Sequence, residues 1–164
     1  NTLEIKSDVI ILCNSLDALK LIDLNFHNIK LKPVLGQAIE ISLNDEEINL
    51  LSLPKHFSIN SKNFLPQDKN RIILGSSDEY KIEPRENIFE ELTDFLENKP
   101  PWLNKNNVTR KWFGIRSRPE GEASPILKSL EKGLILCSGF YKNGILLAPA
   151  CSNWILKEIE KHLL

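Results

Sequence analysis

Apolar residues run unbroken through Val9-Ile10-Ile11-Leu12-Cys13, between the polar residues Asp8 and Asn14. A continuous run of strand length suits a strand covered on both faces, as in a parallel sheet. Leu3-Glu4-Ile5 alternates and leads into it, and Asn14-Ser15 offers a cap for a short helix near Leu16 to Ile22. From Lys30 to Leu43 the pattern predicts a long strand broken by Pro33 and Gly36. Ile48 to Leu53, Phe57 to Ile59 and Arg71 to Ser77 predict shorter strands with antiparallel meander spacing. Pro84-Arg85-Glu86-Asn87 precedes an amphipathic helix with Ile88, Phe89, Leu92, Phe95 and Leu96 on one face, stopped at Asn98-Lys99-Pro100-Pro101. Val108 to Arg118 predicts a strand with Trp112, Gly114 and Arg116 on one side and Phe113 and Ile115 on the other. A loop to Pro125, the pair Ile126-Leu127 and a short turn follow. Gly133 to Gly139 then reads as a buried strand, Lys142-Asn143-Gly144 as a tight turn, and the rest as an apolar helix running past Pro149. The organisation is α+β: a mostly antiparallel body with helices, flanked at both ends by parallel-type pieces.

The 164 residues fit one domain, or one compact domain with part of a neighbour. Hydrophobic content of 41% and charged content of 26% are ordinary for a soluble globular protein. A formal charge of −1 gives a nucleic-acid partner no electrostatic support. No apolar run approaches the ~20 residues of a membrane span. Cys13, Cys137 and Cys151 are odd in number and lie in apolar or small-residue contexts, so they read as buried thiols of a cytoplasmic protein. None has metal-ligand spacing with His27, His56 or His162, which read as surface or loop histidines. There is no Met, and the opening Asn-Thr-Leu-Glu reads as the continuation of a longer chain.

Several stretches, in order, resemble the amino-acid-oxidising flavoenzymes of the D-amino acid oxidase superfamily, above all glycine oxidases of the thiazole-biosynthesis type. Ser7-Asp8-Val9-Ile10-Ile11-Leu12 is similar to the family's last strand before its chain leaves the FAD domain. Pro33-Val34-Leu35-Gly36-Gln37 is similar to its Pro-Val-Arg-Gly-Gln entry into the substrate domain, and Asn63-Phe64-Leu65-Pro66 with Arg71 to Ser77 to its next hairpin. Trp112-Phe113-Gly114-Ile115-Arg116-Ser117 resembles its Trp-x-Gly-x-Arg-Pro segment. Gly139-Phe140-Tyr141-Lys142-Asn143-Gly144-Ile145-Leu146-Leu147-Ala148-Pro149-Ala150 resembles its Gly-His-Tyr-Arg-Asn-Gly-Ile-Leu-Leu-Ala-Pro-Ala. The likeness implies residues 1–29 as a remnant of a Rossmann-like FAD-binding domain, 30–118 as a substrate-binding domain, and 119–164 as the return to the FAD-binding domain. The family's Gly-x-Gly-x-x-Gly dinucleotide turn is absent here, so the resemblance implies a C-terminal portion that does not hold FAD tightly alone.

The resemblance also assigns roles. A helix starting near Asn143 to Ile145 presents unpaired N–H groups and a positive dipole end, which favour negative charge in front of them. Asn14, Gly139, Lys142, Asn143, Gly144, Ile145 and Leu146 are thereby expected beside FAD, with Gly139 and Gly144 admitting close backbone approach. Arg116 is expected to bind an amino-acid carboxylate through its planar fork, with Trp112 as an apolar wall and Lys142 and Tyr141 nearby. The plainer alternatives are an Asn-Gly bend before a helix, a strand arginine paired with Glu120 or Glu122, a solvated Lys142, a packed Tyr141, and Arg118 as a rim charge. Leu35, Asn63, Phe140 and Lys142 depart from the family's Arg, Tyr, His and Arg. They keep open a catalytically degenerate relative that serves as a binding or scaffold module. The implied reaction converts glycine or another small amino acid or amine to its imine by hydride transfer to flavin. No metal is expected, and a homo-oligomer is possible.

Overall fold

The computed structural model describes residues 4–23, 27–43, 49–79 and 82–163. Its strands are β1 (Ile10–Leu12), β2 (Leu31–Ser42), β3 (Phe57–Ile59), β4 (Lys62–Pro66), β5 (Arg71–Gly75), β6 (Val108–Pro119), β7 (Ile126–Glu131) and β8 (Leu134–Ser138). The α-helices are α1 (Ile88–Thr93) and α2 (Gly144–Leu163). The chain forms two compact units, one of Asn1–Val34 with Arg116–Leu164, the other of Leu35–Ile115. β2 and β6 carry the backbone from one to the other.

The Leu35–Ile115 unit is built on the five-stranded sheet, ordered β3-β4-β5-β2-β6. Strand alternation sends Ile39 and Ile41 of β2, Ile72 and Leu74 of β5 and Phe64 of β4 to one face, where the registers Ile39↔Leu74, Ile41↔Ile72 and Phe64↔Leu74 align them. α1 lays Ile88, Phe89 and Leu92 onto that layer, and all eight side chains are buried. The β3–β4 hairpin turns through Asn60 and Ser61, both at positive φ, and stacks Phe57 on Phe64 at 4.9 Å.

A buried polar network pins this unit's segment 76–79. Gln37 N donates to Ser77 Oγ (2.9 Å), Ser77 Oγ donates to Glu79 Oε1 (2.6 Å), and Arg85 Nε stands 2.8 Å from Glu79 Oε2. Glu79 is buried and Arg85 is half-exposed, so the pair is neither a surface bridge nor a fully desolvated one. Replacing Glu79 with alanine removes the buried acceptor of the Ser77 hydroxyl and the ion pair to Arg85; we expect a loss of about 2 kcal/mol in urea unfolding, with Glu79→Gln recovering part of it.

The other unit holds a three-stranded sheet, β1-β8-β7, with β1 parallel to β8 and β8 antiparallel to β7. Leu12, Ala18, Ile29, Ile126 and Leu136 form its core. His162, on the last turn of α2, stands 2.9 Å from Ser129 Oγ and accepts from Gly133 N, which ties the helix to the β7–β8 hairpin.

Several expectations change. Among the described residues β1 pairs only with β8, and Ile10 and Ile11 are exposed rather than covered by these residues. β2 runs unbroken through Pro33 and Gly36. Its ladder with β5 starts at Ala38, so the missing proline N–H removes no bond from that ladder. The stretch predicted as a strand at Ile48 to Leu53 contains a 3₁₀ turn at Leu50–Ser52. There the Asn49 side chain accepts from Leu51 N and caps the turn. Ile48, like Leu3 in the first alternating stretch, lies outside the described residues. The first helix is a 3₁₀ turn, Ser15–Lys20, and Asn14 makes no side-chain cap to it. α1 ends at Thr93, so Phe95 and Leu96 pack on the core from beyond its end.

Candidate active site

β8 ends at Ser138, and the chain must reverse within five residues to start α2 at Gly144. Gly139 (φ 68) and Tyr141 (φ 53) both adopt the left-handed conformation to do so. Tyr141 N donates to Ser117 O at 3.1 Å, which fixes the turn to the end of β6. Asn143 N donates to Phe140 O (3.0 Å), and Asn143 O accepts the first helical bond, from Leu147 N (2.9 Å). The first-turn amides of Gly144, Ile145 and Leu146 thus precede the helical ladder, as at any helix start.

That single bond to Ser117 gathers the predicted polar residues. Ser117 is buried and β6 alternates, so Arg116 and Arg118 stand on its opposite side. The Arg118 guanidinium lies 5.0 Å from the centre of the Tyr141 ring, and Lys142 Nζ lies 5.2 Å from it. Both are within cation–π range. Arg116 is half-buried beside them along the strand. Glu120 and Glu122, the carboxylates weighed as partners for a strand arginine, each have a lysine beside them. Lys32 Nζ is 3.0 Å from Glu120, and Lys128 Nζ is 3.0 Å from Glu122. The Lys32 hydrogen bond holds the Glu120 carboxyl below its ordinary range. A cationic rim of Arg118 and Lys142 thus flanks one tyrosine, with Arg116 two residues before Arg118 on the same side of β6.

Ser117 stands where the family pattern has proline, and it bonds to both Tyr141 and Ser15. Besides accepting from Tyr141 N, its Oγ accepts from Ser15 Oγ at 3.0 Å, while Ser138 Oγ donates to Ser15 O at 3.2 Å. Asn14, exposed and adjacent to Ser15, is thereby held near the same turn. The sequence shows Ser117 in place of the family's proline but gives it no role, and it offers Arg118 only as a rim charge.

The two glycines differ. A Cβ on Gly139 would stand 2.8 Å from Pro119 Cγ and 3.2 Å from Ile126 Cγ1, so its own fold demands glycine there. A Cβ on Gly144 would meet only Phe140 Cβ, at 3.7 Å. The first turn is open: Ile145 is 98% exposed and Leu146 79%.

The Leu35–Ile115 unit has a site of its own on the sheet face opposite its core. A cleft of about 460 Å³ is lined by Ala38, Asn63, Leu65, Ile73 and His56. Asn63 Oδ1 accepts from Ser58 Oγ (2.6 Å) and stands 3.0 Å from His56 Nε2. His56, read as a loop histidine, thus borders a polar cluster at a cavity wall. Trp112, in the same unit, has the Arg110 guanidinium 5.6 Å from its ring centre.

The profile of the family described as FAD dependent oxidoreductase (DAO) matches residues 2–157. The chain belongs to this family. No curated protein matches it in sequence. Among solved structures, this FAD dependent oxidoreductase chain is similar to glycine oxidase from Bacillus cereus, at 20% identity and a TM-score of 0.74, covering 94% of this chain and 43% of that one. Glycine oxidase from Geobacillus kaustophilus gives 20% identity and a TM-score of 0.69, with 93% and 41% covered. Iminodiacetate oxidase from Chelativorans sp. gives 19% and 0.62, with 91% and 41% covered. At these identities the likeness is one of fold, and it bears out the α+β, largely antiparallel expectation. The chain spans less than half the length of each. Among the described residues of this family member, no helix is long and apolar enough to cross a membrane.

Proposed function

We propose that the chain supplies the substrate-binding part and the C-terminal cofactor-side elements of an FAD-dependent oxidase of glycine or another small amino acid, working in the cytoplasm. In this reading residues 30–118 are the substrate-binding domain, and residues 1–29 and 119–164 belong to the FAD-binding domain. The dinucleotide-binding turn lies outside these residues. The observation that carries the reading is the cationic rim at an open helix start. Arg118 and Lys142 flank Tyr141, and Tyr141 is bonded to β6 between Arg116 and Arg118.

The residues fit the cofactor. Gly144 leaves space where its own fold does not require a glycine, and the apolar first turn at Ile145 and Leu146 is open to a flat ring. Asn14 and the stretch from Gly139 to Leu146 would hold the flavin, and the first-turn amides and helix dipole would favour negative charge on it. FAD held there would supply the hydride acceptor for oxidation of an amine. The chain's own contribution is orientation. Arg116 binds the carboxylate through two parallel hydrogen bonds, Lys142 adds positive charge near it, and the Arg118–Tyr141 stack keeps the rim in place.

The test is to purify the full-length protein and add glycine, sarcosine or D-amino acids. Bound flavin and amine-dependent peroxide release are expected. Leu35, where the family has Arg, is fully buried and bridges Glu79 through backbone bonds, which favours the second reading, a non-catalytic module. Purified protein without flavin would favour that module.

A further inference from the structure

The three cysteines, distant in sequence, line one apolar cavity of about 300 Å³ with Phe140, Ala148 and Ile155. Leu12 faces Leu136 across the parallel β1–β8 pair, which makes Cys13 and Cys137 the next two residues in line. Adjacent strands lie about 4.8 Å apart and send paired side chains to the same face. That separation falls inside the roughly 4.4–6.8 Å between Cα atoms that a disulfide spans. Cys13 is exposed, whereas Cys137 and Cys151 are buried. Burial pushes the Cys137 thiol up to about 12, with further upward contributions from the neighbouring Cys13 and Cys151 thiols. The trio is not arranged to hold a metal ion.

We propose that Cys13 and Cys137 are an oxidation site, joined as a disulfide by a hydroperoxide. The exposed Cys13 sulfur takes the terminal peroxide oxygen and becomes a sulfenic acid, as the O–O bond breaks and an alcohol, or water from hydrogen peroxide, departs. The Cys137 sulfur then forms the S–S bond, and its proton leaves with the sulfenic OH as water. Two thiols lose two electrons and two protons, and one hydroperoxide is reduced. A resolving thiol on the next residue of the paired strand, lining the same cavity, lies within disulfide reach without a rearrangement of the fold.

The test exposes the full-length protein to a small excess of hydrogen peroxide, alkylates the remaining thiols after denaturation, and maps non-reduced peptides by mass spectrometry. The expected result is a peptide pair joining Cys13 to Cys137, lighter by two hydrogens and restored by dithiothreitol, with Cys151 still alkylated. Cys151→Ser should form the same bond at an unchanged rate, and Cys13→Ser should slow Cys137 oxidation at least tenfold. Native alkylation of Cys13 should do the same in the unmutated protein, so the test does not depend on a variant folding. Sulfinic acid at Cys13 without a cross-link, a bond to Cys151 instead, or no oxidation at all would overturn the proposal.

Discussion

Replacing Gly139 with alanine lowers the stability of the protein by about 3 kcal/mol, from two independent costs. The residue sits at φ 68, where a Cβ costs roughly 1–2 kcal/mol. The new methyl would also stand 2.8 Å from Pro119 Cγ, 3.2 Å from Ile126 Cγ1 and 3.3 Å from Leu31 Cδ2. Overpacking of that kind adds about 1–3 kcal/mol. Gly144→Ala is the control: its Cβ meets only Phe140 Cβ at ordinary contact, so stability should stay within about 0.5 kcal/mol. Urea midpoints of the two variants check this, and equal midpoints would show that the tight packing around Gly139 is not what selects its glycine. The pair also separates fold from cofactor. If flavin lies over the helix start, Gly144→Ala keeps the fold yet reduces flavin occupancy.

Arg116→Ala raises the KM for a carboxylate-bearing substrate roughly 10- to 150-fold, the equivalent of about 1.5–3 kcal/mol for one charge-assisted contact. The rim geometry sharpens this expectation. The Arg118 guanidinium stacks on Tyr141, so loss of Arg116 is not simply made good by its neighbour two residues on. Arg116→Lys should restore charge without the planar fork and recover only part of the affinity. Steady-state kinetics with glycine would decide it, and an unchanged KM in Arg116→Ala removes this residue from the site.

What could be read from the sequence followed physical range. β3, β5, β6, β8 and the start of α2 were legible because alternation, strand spacing and an Asn-Gly turn are local signals, whereas β4 came forward only through the family resemblance. The Leu50–Ser52 turn was not, because the Asn49 cap outweighed an apolar run that looks like a strand. The exposed face of β1 escaped for another reason: a continuous apolar run marks burial without saying what covers it. At the candidate site, resemblance brought forward Arg116, Tyr141 and Lys142 together. The role of Ser117 depends on bonds from residues 102 and 24 positions away, to which no local pattern is sensitive. The meeting of the three thiols depends likewise on the parallel register of β1 and β8.

The central claim is that the cations around Tyr141 select a carboxylate in front of a flavin at the opening of α2. The most direct measurement compares glycine with ethylamine, which lacks the carboxylate, as anaerobic reductants of the full-length protein, following the visible flavin band. The account predicts that glycine bleaches the band at concentrations where ethylamine leaves it unchanged, and that Arg116→Ala removes the difference. Equal bleaching by both amines, or a full-length protein with no flavin to bleach, would contradict it.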